Sequence, residues 1–178
     1  MTMAPIVDGF LCWWLRVGRY RWSKLRRRFC ERRYLEEPLP TVTSLEDIAN
    51  RLGRVTRTMD GLLHLYDSIS YPETTWTKKK DDCDGFACLA AALLPQVGRS
   101  YRPVLLTAIV RPVRRSHTVC VFRASGGKLW LFDNASLRRE DGKTYAYVAA
   151  LISKGADRLV CWDVRDPATL ELKEFHRV

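Results

Sequence analysis

Asp81-Asp82-Cys83-Asp84-Gly85-Phe86-Ala87, running on into Cys88-Leu89-Ala90-Ala91-Ala92-Leu93-Leu94, is the stretch around which the rest of the chain can be laid out. An apolar run this rich in alanine and leucine predicts a buried helix. Pro72 and Lys78-Lys79-Lys80 stand before it, and Pro95 and Gly98 close it. Asp82 suits the N-cap, because its carboxylate can accept a backbone N–H from the open first turn. Cys83 then falls in that first turn, where unpaired N–H groups and the positive end of the helix dipole favour a thiolate. A cysteine in this position becomes a candidate nucleophile when a histidine and a carboxylate follow it.

Both follow. His117 lies in the strand-like Ser116-His117-Thr118-Val119-Cys120-Val121-Phe122, and Asp133 ends the next strand-like run, Leu129-Trp130-Leu131-Phe132-Asp133-Asn134. In this order Cys83 would attack an acyl carbon as thiolate, His117 would carry the proton, and Asp133 would hold the imidazole. The Cys83 N–H at the helix start is a natural oxyanion donor. Trp76, Asp82 and Asn134 are the nearby candidates for walling the cleft or supporting the oxyanion. Cys83 and His117 are expected to hydrogen-bond, at about 4 Å or less.

With these blocks in view, the chain resembles the transglutaminase-like superfamily of papain-type folds. It is nearest to the bacterial transglutaminase-like cysteine peptidases, whose pattern runs Trp, then Gly-Asp-Cys-Glu-Asp-Phe-Ala, then His, then Leu-Asp-Asn. Trp76, Asp82, Cys83, Phe86 and Ala87 match the first part, His117 the second, and Leu131, Asp133 and Asn134 approximate the third. The resemblance covers under half of the chain. It implies a papain-like α+β core with helices on a mostly antiparallel sheet. It also implies hydrolysis of peptide or isopeptide bonds, or acyl transfer from glutaminyl amides, without cofactor or metal. The chain departs from the pattern on both sides of the cysteine. Asp81 stands where the family has Gly, and Asp84-Gly85 replaces an acidic pair; an added carboxylate tends to raise a neighbouring thiol pKa.

The hairpin after His117 sets a strict condition. Side chains alternate faces along a strand, so His117 goes with Val119 and Val121, and Asp133 with Leu129 and Leu131. A two-residue turn at Gly126-Gly127 would pair Cys120 with Asp133 and put Asp133 on the face away from His117. A three-residue loop, Ser125 to Gly127, pairs Val119 with Asp133 and makes His117 a diagonal neighbour within side-chain reach.

The chain has 178 residues, 47% of them apolar, which suffices for a core and excludes a disordered chain. The expected organisation is a basic arm over residues 1–40 and one domain over 41–178. A formal net charge of +10 points to an acidic partner: nucleic acid, an anionic membrane face or an acidic protein. The six cysteines lack C-x-x-C spacing and lie mostly in apolar runs. That argues against a zinc knuckle and for reduced core thiols in a reducing compartment, cytoplasm or virion. No signal peptide pattern is found at the start, and no apolar run approaches the roughly 18–20 residues that span a bilayer.

Residues 8–34 predict a basic amphipathic helix with Leu11, Leu15, Gly18, Trp22, Leu25 and Phe29 as its apolar stripe. Trp13, Trp14, Arg16, Arg19, Trp22, Arg26 and Arg27 are its candidate docking residues for an anionic or apolar partner. Pro38 and Pro40 end it. Ser44-Leu45-Glu46-Asp47 is a capping box, and the stripe from Ile48 through Leu52, Val55, Met59, Leu62, Tyr66 and Ile69 predicts one helix over 45–70. His64, beside that stripe, reads as a partly buried histidine without catalytic work. Strands are expected over 104–110, 118–124, 128–133 and 159–164, a helix over 144–154, and surface chain thereafter. Three classes of function fit this layout: a cysteine hydrolase or acyltransferase, an adaptor docked into a larger assembly through the arm, and a nucleic-acid binder. A steep salt dependence of DNA binding would mark the last.

Overall fold

A computed structural model describes residues 4–58, 68–124, 127–142 and 144–178. The protein is α+β. A helical N-terminal segment comprises α1 (Ala4–Trp13) and α2 (Arg19–Arg26), continued through wide turns at Trp14–Gly18 and Arg27–Glu31. Next come α3 (Leu45–Leu52), β1 (Thr56–Arg57), α4 (Pro72–Lys78), β2 (Lys80–Asp81) and α5 (Cys83–Val97). The second half carries β3 (Val104–Arg111), β4 (His117–Arg123), β5 (Leu129–Asp133), β6 (Ser136–Glu140), α6 (Tyr145–Ile152), β7 (Arg158–Arg165) and β8 (Leu172–Arg177).

The six longer strands form one antiparallel sheet in the order β6-β5-β4-β3-β7-β8. The continuously apolar β3 is central, as its sequence requires, because both of its faces are covered. Leu105 and Ile109 of β3 join Cys120, Phe122, Phe132 and Cys161 on one face, against Phe86, Leu89 and Leu93 of α5. Leu106 and Ala108 join Val119, Val121, Leu131 and Val164 on the other, under Val148 and Ala149 of α6. Asp82 caps α5 by accepting from Asp84 N–H, and Ser44 caps α3 by accepting from Asp47 N–H. Pro95 is accommodated inside the last turns of α5 rather than ending it.

Several expectations are corrected. The helix over 45–70 stops at Leu52. Gly53 and Arg54 turn the chain, and Thr56–Arg57 pairs in parallel with Lys80–Asp81, bracing the approach to Cys83. Met59, Leu62, His64 and Tyr66 lie outside the described residues. The C-terminal residues, left without an element and expected at the surface, are mostly exposed and form β8, which pairs with β7 at the sheet edge.

The N-terminal segment departs furthest from its expected form. Leu11, Leu15 and Tyr20 are buried in the same cluster as Phe86 and Leu89, so the segment is packed into the core and not held apart from it. Its buried row is Leu11, Leu15, Arg19, Ser23, Arg27, Glu31: every fourth residue. An α-helix of about 3.6 residues per turn would rotate such a row off the core, while the wide i→i+5 turns keep it aligned. Arg165 sits at the first wide turn, donating to the carbonyls of Leu15 (3.3 Å) and Arg16 (2.7 Å). Farther along, Ser23 accepts from Ile69 N–H, Arg27 donates to the carbonyls of Ile69 and Ser70, and Glu31 accepts from Tyr71 N–H. Arg19 and Arg27, expected to dock a partner, are thus buried and spent on the protein's own backbone and carboxylates. Arg26, half-buried, bonds Ser68. Trp22, Leu25 and Phe29, expected to form the stripe, are exposed.

Candidate functional site

α5 begins at the end of the sheet where β4 starts and β5 finishes, and this brings Cys83 to His117. The Cys83 thiol and the His117 ring are hydrogen-bonded. His117 Nε2 is 2.7 Å from Asp133 Oδ1. With Nε2 engaged by the carboxylate, Nδ1 is the nitrogen left to exchange a proton with sulfur.

The hairpin supplies the register that this requires. Cys120 pairs with Phe132, Val121 with Leu131, and Arg123 with Leu129. Ala124 N–H donates to the Lys128 carbonyl, so three residues separate the last bonded pair, with Gly127 at φ +76°. Asp133 therefore falls opposite Val119 and on the same face as His117, diagonal to it. A side chain reaches across such a diagonal readily.

The electrostatics follow from this geometry. Burial works against a charge on His117, but hydrogen bonds to Asp133 and Cys83 overcome it and raise the ring's pKa to about 9. At neutral pH the ring is an imidazolium. The His117 hydrogen bond holds Asp133 below the usual carboxylate range against the opposing effect of burial, helped by the charges of Arg138 and Arg57. Arg138 also reaches the second Asp133 oxygen at 3.3 Å.

Asn134 occupies the two-residue turn between β5 and β6 with φ +51°, a left-handed conformation that asparagine tolerates. Its Nδ2 donates to Asp133 Oδ1 at 3.3 Å, which fixes the amide's orientation, since a carboxylate can only accept. The Asn134 Oδ1 is left buried without a hydrogen-bond partner among the described residues. Asp82 acts as the helix cap. Trp76 packs against the edge of the core beneath the Lys79 ammonium.

The space around the sulfur is small. Cys83 is 3% exposed. The cleft it shares with His117, Thr107, Ser116 and Thr118 holds about 10 Å³ and is completed by Arg19 and Asp84. That is room for at most about one water molecule. Arg19 of the N-terminal segment is ion-paired with Asp84, and its positive charge also interacts with Cys83 and Asp82. Arg19 and Asp84 were not foreseen as members of the site; the signal for Arg19 is the every-fourth-residue row, in which it stands between Leu15 and Ser23.

The two unusual positions of the cysteine block are explained together. The Asp81 carboxylate accepts from Thr75 Oγ1 (2.5 Å) and Asp82 N–H (2.9 Å), and so lies folded over the start of α5. A Cβ on Gly85 would stand inside van der Waals distance of the Asp81 carboxyl group. Asp81 and Gly85 are a matched pair, in which a side chain before the cysteine occupies the space left by the missing one after it.

Asp82, Cys83 and Asp84 place ligand-type atoms within 4.8 Å of one another. Asp82 caps the helix and Asp84 is paired with Arg19, so these residues already have structural work. The remaining cysteines are free thiols. Cys12, Cys88, Cys120 and Cys161 are buried, and Cys30 is exposed. Burial pushes the Cys88 thiol up to about 11, which makes it a poor nucleophile beside a cysteine bonded to an imidazolium. No described helix is long and apolar enough to cross a membrane.

The fold and site together define an α+β protein with a cysteine–histidine–carboxylate cluster at the end of an antiparallel sheet. No protein-family model matches the chain, and no curated protein matches it in sequence.

Proposed function

We propose that the protein is a cysteine-nucleophile hydrolase or acyltransferase of the transglutaminase-like, papain-type class, acting on amide bonds. The observation that carries this reading is the double engagement of His117, bonded to both Cys83 and Asp133. A buried cysteine needs no histidine, and a buried histidine needs only one partner; the relay joins both at a helix start.

In the reaction, the Cys83 thiolate attacks the carbonyl carbon of an amide, and the carbon–oxygen π electrons move to oxygen. The oxyanion forms beside the first turn of α5, where the Cys83 N–H and the helix dipole favour negative charge. His117 then gives its proton to the amide nitrogen, the carbon–nitrogen bond breaks, and a thioester remains on Cys83. Neutral His117 next takes a proton from an incoming water or amine as that nucleophile attacks the thioester. The thiolate leaves, and hydrolysis or acyl transfer is complete. Asp133 keeps the imidazole oriented throughout, and Asn134 steadies Asp133 by donating from Nδ2 to its Oδ1.

Reaction with a peptide-like electrophile on the full chain tests this. Cys83 is expected to be alkylated faster than the buried Cys88 and Cys120, and His117→Ala is expected to remove that advantage. Cys83→Ala is expected to abolish amide turnover while leaving Tm within a few degrees of wild type, since a small thiol contributes little packing. Alkylation of Cys83 no faster than of Cys88 would overturn the proposal.

A second reading has one specific observation in its favour. The closed cleft around Cys83 suits a chain that keeps this arrangement as a structural or adaptor component. In that case the labelling experiment finds Cys83 inert.

A further inference from the structure

The outer face of the N-terminal segment is used by neither the core nor the relay. With about four residues per turn, the segment has four lengthwise rows. The inner row is buried, and the opposite row runs Trp13, Val17, Arg21, Leu25, Phe29 and Arg33. Trp13 is 53% exposed, Leu25 49% and Phe29 72%, with Ile6 (71%) and Trp22 (49%) beside them. One flanking row carries Arg16, Lys24, Arg28 and Arg32, all exposed. The segment's two acidic residues, Asp8 and Glu31, are buried: Asp8 binds Arg111 and Arg158, and Glu31 accepts from Tyr71 N–H and Thr74. The outward surface between residues 5 and 35 is therefore apolar, aromatic and cationic, without an exposed carboxylate among the described residues.

We infer that this face binds an anionic lipid surface, with the helix lying in the plane of the membrane. The charge complementarity and the arrangement of the rows decide the occupant. A nucleic-acid groove rewards the arginines but gives nothing for exposed Ile6, Leu25 and Phe29. A protein groove of apolar character rewards those side chains but not a row of cations beside them. The headgroup–acyl boundary takes both: phosphates meet the basic row, tryptophans sit at the level of the headgroups, and leucine and phenylalanine enter the acyl edge. The inner row stays bonded to the protein body, so the helix carries the folded protein to the surface without detaching. The inference stands on the outer face alone and does not depend on the proposed chemistry at Cys83.

Co-sedimentation of the full chain with phosphatidylglycerol–phosphatidylcholine vesicles tests it, with phosphatidylcholine alone as the reference. Binding to the anionic vesicles is expected to be on the order of a hundredfold tighter, since each basic residue near such a surface contributes about fivefold. The Arg21→Gln/Lys24→Gln/Arg28→Gln variant is expected to lose most of that difference. The Trp13→Ser/Leu25→Ser/Phe29→Ser variant is expected to lose on the order of a hundredfold on the anionic vesicles, from the apolar area no longer buried. All six positions face outward, so far-UV circular dichroism and Tm should stay close to wild type. Should either variant fail to fold, brominated lipids provide the alternative measurement: they should quench part of the wild-type tryptophan emission. Wild type that remains in the supernatant with anionic vesicles would overturn the inference. So would binding that the apolar triple leaves intact, which is the behaviour of a surface made for nucleic acid.

Discussion

Substituting Asp133 with Asn removes a charge while keeping the shape of the side chain, and its consequences can be worked out from the geometry. His117 has a raised pKa because two hydrogen bonds overcome an opposing burial effect. A rise from 6.5 to about 9 corresponds to about 3 kcal/mol of preference for the protonated ring, at about 1.4 kcal/mol per factor of ten. In Asp133→Asn, burial still disfavours the charge and only Cys83 opposes it. His117 is then expected to titrate at about 7 or below. The chain has three histidines, so NMR titration with His64→Gln and His176→Gln assigns the resonance of His117 directly.

The same shift has a consequence for stability, and its sign is fixed. The folded pKa lies above the unfolded one, so the protonated ring contributes stability that is fully present below about 6.5 and is lost as pH rises through about 9. Urea denaturation of Asp133→Asn should show a deficit against wild type of about 1–3 kcal/mol near pH 6, after allowing for solvent at the partly open carboxylate. Near pH 10, where both proteins hold a neutral ring, the deficit should shrink to under about 1 kcal/mol. A wild-type His117 that titrates below 7, or a pKa that Asp133→Asn leaves unmoved, would refute the reasoning and remove Asp133 from the relay.

The remaining predictions concern the frame around the site. Gly85→Ala should cost about 1–3 kcal/mol in urea denaturation, as crowding against the Asp81 carboxyl group forces a shift. Asp81→Gly in the same chain should recover most of that loss, and a purely additive double mutant would show that the two positions do not share space. Deletion of residues 1–34 should abolish cooperative thermal unfolding, because Leu11, Leu15 and Tyr20 are part of the core. A truncated chain that melts with one sharp transition at a similar temperature would show that residues 41–178 fold independently after all.

The site was legible in the sequence because two simple periodicities governed it. The Ala/Leu run and the Asp82 cap located the helix start, and strand alternation converted the loop length between Ala124 and Lys128 into a statement about which face Asp133 takes. The apolar runs also located β3, β4, β5 and β7. Other elements had no such signal. The continuation of an apolar stripe past Leu52 suggested a helix because Val55 through Ile69 recur at steps of four and three, yet Val55 is buried at a turn and Ile69 in a segment held by Ser23 and Arg27. β8 has no buried alternation to reveal it; its residues are mostly exposed and are placed by pairing with β7.

The N-terminal segment shows why hydrophobic periodicity can select the wrong face of a helix. A search for apolar residues at steps of three and four follows Leu11 and Leu15 correctly, then passes to Gly18, Trp22, Leu25 and Phe29. The core follows a different row. From Arg19 onward the inward residues are polar: Arg19, Ser23, Arg27 and Glu31. A buried polar side chain is tolerated when its hydrogen bonds are satisfied, and these bind Asp84, the Ile69 backbone, Ser70 and Tyr71. The polar row therefore holds the chain leading to α4 and reaches the acidic start of α5, work that leucines could not do. It also leaves the apolar row, which a buried helix would have needed for its core, facing outward beside the cations. The same substitution of face explains both the wide turns inside the protein and the aromatic, basic surface outside it.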